Sequence, residues 1–194
     1  MSRAKINLGG VTTLLVDGDT FMRGSIAQML RRFGMNTPTI CESGAATMAH
    51  LEHHYVELCM FEAILPDMGC AELIRWIRRQ TKSPLRFVPI VVLTSYTLHR
   101  NLAIIRDAGA NLIIKRPVSP QLLLDSITWL AKTSRSFIET AKYVGPDRRF
   151  RTLEPLDGKH KRETDVTKIG DTVSLDDRNE QTFSEPSLNR ALAV

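Results

Sequence analysis

Cysteine is scarce in this chain, with three among 194 residues. Cys41, Cys59 and Cys70 lie in or beside apolar stretches, and the sequence has no CxxC motif and no His/Cys pair at zinc-ligand spacing. This pattern is typical of reduced thiols in the core of a cytosolic protein, and it excludes a disulfide-stapled scaffold.

Long hydrophobic runs are also missing. Nowhere do 18 apolar residues follow one another, and the apolar run near the N-terminus is soon interrupted by Asp17. We therefore expect a soluble, cytoplasmic protein without a membrane partner. No GxxxxGK[ST] motif and no GxGxxG after a strand are present, so we expect no nucleotide-binding enzyme, and indeed no enzyme.

The net charge of +5 raises the question of nucleic-acid binding, because 26 basic residues outnumber 21 acidic ones. A helix-turn-helix pattern and aromatic stacking platforms are both absent. We do not expect nucleic acid as the partner, but a nucleic-acid-binding regulator stays open as one interpretation. Its basic residues would be Arg148, Arg149, Arg151, Lys159, Lys161 and Arg162.

Apolar runs and amphipathic helical patterns alternate regularly up to residue 133. Five strands alternating with five helices predict an α/β fold, a doubly wound five-stranded parallel sheet between two helical layers. Residues 1–8 are predicted to be a tail and residues 9–133 the domain. The predicted strands are 11–16, 37–41, 56–63, 88–93 and 112–115, and the predicted helices are 21–33, 44–54, 71–79, 98–108 and 119–132.

After residue 133 the apolar pattern ends and charged and hydroxyl residues dominate. Such a segment buries too little apolar surface to offset its ordering entropy, about 1–2 kcal/mol per residue. Residues 134–194 are therefore predicted to be a charged, largely disordered tail. Tyr143 to Arg151 (YVGPDRRFR) is its one locally dense motif.

Polar side chains follow the predicted strands where the ligand crevice of an open parallel sheet lies. These residues are Asp17 and Asp19 after strand 1, Glu62 at the end of strand 3, Thr94 after strand 4 and Arg116 after strand 5. Carboxylates suit Mg²⁺, whereas a hydroxyl and a guanidinium suit phosphoryl oxygens. Helix capping by the aspartates and a plain Glu62–Arg116 surface pair remain the structural alternatives.

This arrangement resembles the receiver domain of two-component response regulators, a CheY-like fold with strand order 2-1-3-4-5. The resemblance covers about residues 9–133. It rests on LLVDGDTFMRGSIAQMLRRFG, ILPDM, PIVVLTS and DAGANLIIKRPVSPQLL. It implies a signalling module in a two-component phosphorelay, whose partner is a histidine kinase, a phosphotransfer protein or a downstream target.

Residue by residue, the resemblance implies a degenerate phosphorylation site. The phosphoacceptor aspartate falls on Glu62 and the phosphoryl-contacting lysine on Arg116, whereas the switch hydroxyl is kept as Thr94. The first acidic position is kept as Asp17 and the second falls on Gly18, so Mg²⁺ held by Asp17, Asp19 and Glu62 would be bound weakly or lost. The aromatic switch position falls on Ile113.

Each departure has a chemical consequence. Glutamate is one methylene longer than aspartate, which misplaces an in-line transfer by about 1 Å, and such a shift costs roughly 10²-fold in rate. Arg116 can form a bidentate pair with Glu62, which a lysine cannot. We expect that pair to imitate a phosphorylated state, with the Glu62 carboxylate extended toward Thr94.

Three interpretations follow. The first is a pseudo-receiver that acts by protein–protein contact without phosphorylation. The second is a conventional receiver phosphorylated by a histidine kinase on Glu62 or on an alternative carboxylate such as Asp67. The third is the nucleic-acid-binding regulator described above.

Overall fold

The computed structural model describes residues 7–80, 84–95, 99–133, 135–140, 143–148 and 167–171. Its main sheet has five parallel strands in the order β2-β1-β3-β4-β5, as predicted. The strands are β1 Thr13–Val16, β2 Thr39–Cys41, β3 Leu58–Glu62, β4 Ile90–Thr94 and β5 Leu112–Lys115. The helices are α1 Thr20–Arg32, α2 Gly44–His53, α3 Cys70–Arg78, α4 His99–Asp107 and α5 Pro120–Lys132, with a 3₁₀ turn at Pro84–Phe87.

Helices cover both faces of the sheet, which explains why strands such as β4 are buried throughout. On one face, Ile26 and Leu30 of α1 pack with Leu123 and Ile127 of α5. On the other face lie buried residues of α2, α3 and α4. The predicted three-layer architecture is confirmed, with two helices on one side and three on the other.

Local signals set the starts of several helices. Asp19 accepts hydrogen bonds from the amides of Phe21 and Met22 at the start of α1. At α5, Ser119 accepts from the amide of Leu122 and Pro120 occupies the first helical turn, as the sequence predicts. These caps fix where the chain turns at the carboxyl ends of β1 and β5.

The buried polar and thiol groups differ partly from expectation. Cys41, Cys59 and Cys70 are buried free thiols, as predicted, and burial raises the pKa of Cys59 to about 12. Arg78, which looks like part of the basic outer edge of α3, is instead 1% exposed. Helix α3 ends where neighbouring loops close over that residue.

Part of the segment that was predicted to be disordered has regular structure. Strands β6 (Ser136–Glu139), β7 (Val144–Pro146) and β8 (Thr167–Asp171) form a small antiparallel sheet in the order β7-β6-β8. Phe137 and Tyr143 are buried there, at 0% and 8% exposure. Residues 134, 141–142, 149–166 and 172–194 lie outside the described part of the chain, and the expectation of a largely disordered tail stays a prediction for them.

Candidate functional site

The carboxyl ends of β1, β3, β4 and β5 bring four of the predicted residues to one edge of the sheet. Strand β3 lies between β1 and β4, so Asp17 and Glu62 come from neighbouring strand ends. Lys115 pairs in register with Thr94, and the amide of Arg116 donates to the carbonyl of Thr94 at 2.8 Å. The sheet topology therefore places the backbone of Arg116 beside the carboxyl end of β4.

The guanidinium of Arg116 lies between two carboxylates. Its Nη1 contacts Oε2 of Glu62, and its Nη2 lies 2.5 Å from Oδ2 of Asp17. The exposed fractions of these side chains are 9% for Arg116, 14% for Glu62 and 2% for Asp17. The predicted Glu62–Arg116 pair is thus present, and it is more buried than the surface pair that we considered as an alternative.

Glu62 is held on its second oxygen by the main chain. Its Oε1 accepts a hydrogen bond from the amide of Ala63 at 2.8 Å. Burial raises the pKa of Glu62, and the charge of Arg116 and the backbone hydrogen bonds offset only part of that effect. The carboxylate is therefore turned toward Ala63 and Arg116, whereas we expected it to extend toward Thr94.

Asp17 is the most buried acid of the site. Its Oδ1 accepts from the amide of Asp19 at 2.8 Å while its Oδ2 binds Arg116. Its backbone carbonyl accepts from Arg23 of α1 at 2.7 Å, and Arg23 also forms an ion pair with Glu42. Every oxygen of Asp17 is thus already a hydrogen-bond acceptor within the chain.

Two further acids are engaged at helix starts. Asp19 caps α1 and is not turned toward Glu62. Asp67 accepts from the amides of Gly44 and Ala45 at the start of α2, and these bonds lower the pKa of its carboxyl group. Neither carboxylate is held in the cluster around Arg116.

The residues present do not fit a Mg²⁺ site. Mg²⁺ needs oxygen ligands in octahedral geometry, but the described residues contain no group of three or more acidic, His or Cys side chains that could hold a metal. Gly18 supplies no side-chain ligand, and the Arg116 guanidinium already pairs with one oxygen of Asp17 and one of Glu62. A side chain at position 18 would also be tight, since a Cβ there lies 3.1 Å from Cγ of Pro66.

Arg116, Asp17 and Glu62 form a group that we call the Arg116 cluster. One of its hydrogen-bond donors lacks a partner among the described residues. Nε of Arg116 is buried and has no hydrogen-bond partner among the residues that the structure describes. A buried unpaired donor costs about 1–3 kcal/mol, which reduces the net stability that the two ion pairs supply. The cluster therefore fixes geometry more than it adds stability.

Sequence reasoning missed two contributors to this site. Arg23 looks like an ordinary polar residue of α1, although a basic residue six positions after a strand-end aspartate is within reach of it in the first helical turn. The Asp17–Arg116 contact was also missed. No local pattern links two residues that are 99 positions apart.

The basic tail motif does not present a free patch in its described part. Arg148 forms an ion pair with Asp107 and its guanidinium lies 4.0 Å from the ring centroid of Tyr143. The other basic residues of the nucleic-acid interpretation lie outside the described residues. Among the described segments, we find no helix with the length and apolarity required to cross a membrane.

Comparison with known proteins identifies the class of domain. Residues 13–128 match the family model described as "Response regulator receiver domain". The chain is 28% identical over 130 residues to the transcriptional regulatory protein GltR of Pseudomonas aeruginosa, a match that covers 67% of this chain and 52% of GltR. The chain thus spans about half the length of that relative.

Solved structures agree with this match. The receiver domain protein (CheY-like) of Methanospirillum hungatei is 28% identical with a TM-score of 0.55, covering 61% of this chain and 90% of that one. The receiver domain of the sensor histidine kinase PA1611 from Pseudomonas aeruginosa is 26% identical with a TM-score of 0.55, covering 60% and 93%. That structure has a magnesium ion coordinated in the active site cleft.

Proposed function

Because the chain belongs to the response regulator receiver domain family, we propose that it is a pseudo-receiver that contacts its partner protein without being phosphorylated. Receiver domains are signalling modules that work with histidine kinases, phosphotransfer proteins or downstream targets. The partner of this chain would be a protein of one of these kinds. A cytoplasmic location and the absence of an enzymatic activity belong to the same proposal.

The single observation that carries the proposal is the position of the Arg116 guanidinium. It binds Asp17 and Glu62 together, and both carboxylates are largely buried. A divalent cation would have to displace a tethered cation that already contacts one oxygen of each acid. Phosphoryl transfer in this family's pattern needs those same carboxylates, so the ion pairs compete directly with the chemistry.

The phosphoacceptor position supports the proposal independently. Oε1 of Glu62 is used by the Ala63 amide and Oε2 by Arg116. A carboxylate oxygen that attacks a phosphorus atom must be free and correctly aligned, and a misplacement of about 1 Å costs roughly 10²-fold in rate. Glu62 is therefore poorly placed as a nucleophile. The alternative acceptor Asp67 has both oxygens engaged with the start of α2.

The contact surface in this proposal is the face built by α4, β5 and α5, which the family resemblance gives as the output face. Arg100, Lys115 and Gln121 are exposed there, and Ile113 is half-buried. Isoleucine has no ring that could swing between an inward and an outward position. The face would therefore stay in one arrangement, set in part by the Arg116 cluster at the end of β5.

The test compares partner affinity in wild type and Glu62→Gln, each with and without acetyl phosphate and Mg²⁺. The partner is first identified by cross-linking in source cells and then purified. We expect the phosphodonor to leave wild-type affinity unchanged, and Glu62→Gln to lower affinity by about three- to tenfold, because Arg116 loses one of its two anchors. Exposed Glu52→Gln on α2 is the matched control.

Two results would overturn the proposal. A wild-type affinity that rises with the phosphodonor would identify a conventional receiver. Equal affinities for wild type and Glu62→Gln would mean that the partner does not sense the Arg116 cluster.

A further inference from the structure

The motif YVGPDRRFR begins in a hairpin that packs at the amino ends of β4 and β5, the pole opposite the Arg116 cluster. We call residues 135–148 the strap, of which 135–140 and 143–148 are described. Its central residue Phe137 is fully buried, with its ring 5.1 Å from that of Phe87 in an edge-to-face arrangement. The strap is thus anchored in the domain by an aromatic side chain.

Beneath the strap lies a buried arginine without a carboxylate partner in its hydrogen bonds. Arg78 donates to the carbonyls of Gly109, Arg86 and Val88 at 2.7–3.1 Å and to Oδ1 of Asn111 at 2.9 Å. Its guanidinium carbon lies 5.0 Å from the centroid of the Phe137 ring. Phe137 therefore packs over the guanidinium of Arg78, which hydrogen-bonds to the loop before β4 and to the loop before β5.

Two glycines let the strap backbone approach the loop between α4 and β5. A Cβ on Gly145 would lie 2.9 Å from Cα of Gly109, and a Cβ on Gly109 would lie 2.7 Å from the carbonyl oxygen of Val144. Gly109 also has φ of +107°, a conformation that side chains disfavour. A Cβ on Gly145 would also lie 2.7 Å from the hydroxyl oxygen of Tyr143, so Gly145 is constrained by the strap itself as well as by Gly109.

The polar residues of the motif complete the docking. The hydroxyl of Tyr143 donates to the carbonyl of Pro146 at 2.7 Å, which closes the turn. Arg148 covers the Tyr143 ring and pairs with Asp107, the last residue of α4. At the other end of the strap, Arg86 forms an ion pair with Glu139 at 3.4 Å.

We propose that residues 135–148 are a built-in strap that fixes the corner between α4 and β5, so that the cooperative folding unit extends to residue 148 instead of ending at residue 133. Gly145 and Arg148 contact that corner directly, at Gly109 and Asp107. Phe137 acts through Arg78, whose guanidinium it covers and which donates to the carbonyl of Gly109. Because α4 and β5 meet at this corner, the strap restrains α4, which is part of the α4–β5–α5 face. The described part of the motif therefore docks on the domain of its own chain.

Hydrogen exchange on the full chain tests the strap. Gly145→Ala places a methyl group against both the Tyr143 hydroxyl and Cα of Gly109, so it disturbs the strap and its contact with the corner, whereas Gly24→Ala in α1 meets nothing within 4 Å and is the matched control. We expect peptides from the carboxyl end of α4 through β5 to exchange about tenfold faster in Gly145→Ala, with β1 and β3 unchanged. Gly24→Ala should match wild type throughout.

A charge swap covers the case in which Gly145→Ala fails to fold. Arg148→Glu alone should speed exchange at the α4–β5 corner, and Arg148→Glu combined with Asp107→Arg should restore at least part of the protection. Unchanged exchange in Arg148→Glu, or the absence of any rescue in the double variant, would overturn the proposal. So would protection of the corner that depends on protein concentration, because the strap would then come from a second copy of the chain.

Discussion

Nη2 of Arg116 lies 2.5 Å from Oδ2 of Asp17, so the cation at the end of β5 binds the acid at the end of β1 across the ends of β3 and β4. The same guanidinium contacts Glu62. One arginine therefore occupies the two acids that remain from the receiver pattern.

Mg²⁺ should bind the wild-type protein only at concentrations of about a millimolar or more, because the described part of the chain holds no group of three side chains that could ligate it. Gly18→Asp with Arg116→Lys should tighten binding, since it adds a carboxylate and removes the guanidinium fork. The Pro66 ring must shift by a few tenths of an ångström to admit the new side chain. A Mg²⁺ titration followed by NMR measures this, with exposed Arg32→Lys as the control. Sub-millimolar binding by wild type would contradict the prediction.

The stability contribution of Glu62 should depend on pH. Burial raises its pKa above the ordinary value of 4.5, so the folded state holds the proton more tightly than the unfolded state. The contribution is therefore full below pH 4.5 and is lost as pH rises through the raised pKa of the folded state. Urea unfolding of wild type and Glu62→Gln at stepped pH should show their difference falling over that interval. A difference that grows with pH would mean that the Arg116 charge outweighs burial.

Arg78→Met should destabilise the fold strongly. It removes the guanidinium donor from three buried backbone carbonyls, and it leaves Oδ1 of Asn111 with the Ile90 amide alone. We expect a loss of about 3 kcal/mol or more in the free energy of unfolding. Exposed Arg75→Met on the same helix is the control and should change little. Equal denaturation midpoints for the two variants would show that the buried arginine contributes nothing net.

Partner binding should use the α4–β5–α5 face. Arg100→Glu combined with Lys115→Glu reverses two exposed charges there and should weaken the partner complex by about tenfold. Arg31→Glu combined with Arg32→Glu makes the same charge change on α1 and should leave affinity unchanged. Calorimetry with the purified partner measures both. A loss only in the α1 variant would place the interface elsewhere.

The alternation of β-branched runs and amphipathic helices predicted five parallel strands and their ends, whereas the strand order came from the resemblance to receiver domains. The sequence also predicted that Glu62 and Arg116 pair, since both follow strands at one edge. The Asp17–Arg116 contact depends on the reach of a long side chain across two strands, which no periodicity encodes. The length and direction of the Arg116 side chain therefore determine which acids it contacts.

The strap and Arg78 were missed for a related reason. Phe137 and Tyr143 are isolated apolar residues in a charged segment, so the local pattern resembles disorder. Their burial comes from Phe87, Gly109 and Arg78, which the domain supplies. Arg78 lies among the basic residues of α3 and was expected to be exposed, but its guanidinium donates to buried carbonyls of neighbouring loops. In each case the partner is distant along the chain.

The most direct test of phosphorylation independence is intact-mass spectrometry after incubation with acetyl phosphate and Mg²⁺. We compare the wild type with the variant Gly18→Asp, Glu62→Asp, Arg116→Lys, which restores the receiver pattern at three positions. The account predicts no added phosphate on wild type and one hydroxylamine-labile phosphate on the triple variant. A hydroxylamine-labile phosphate on the wild-type chain would contradict it.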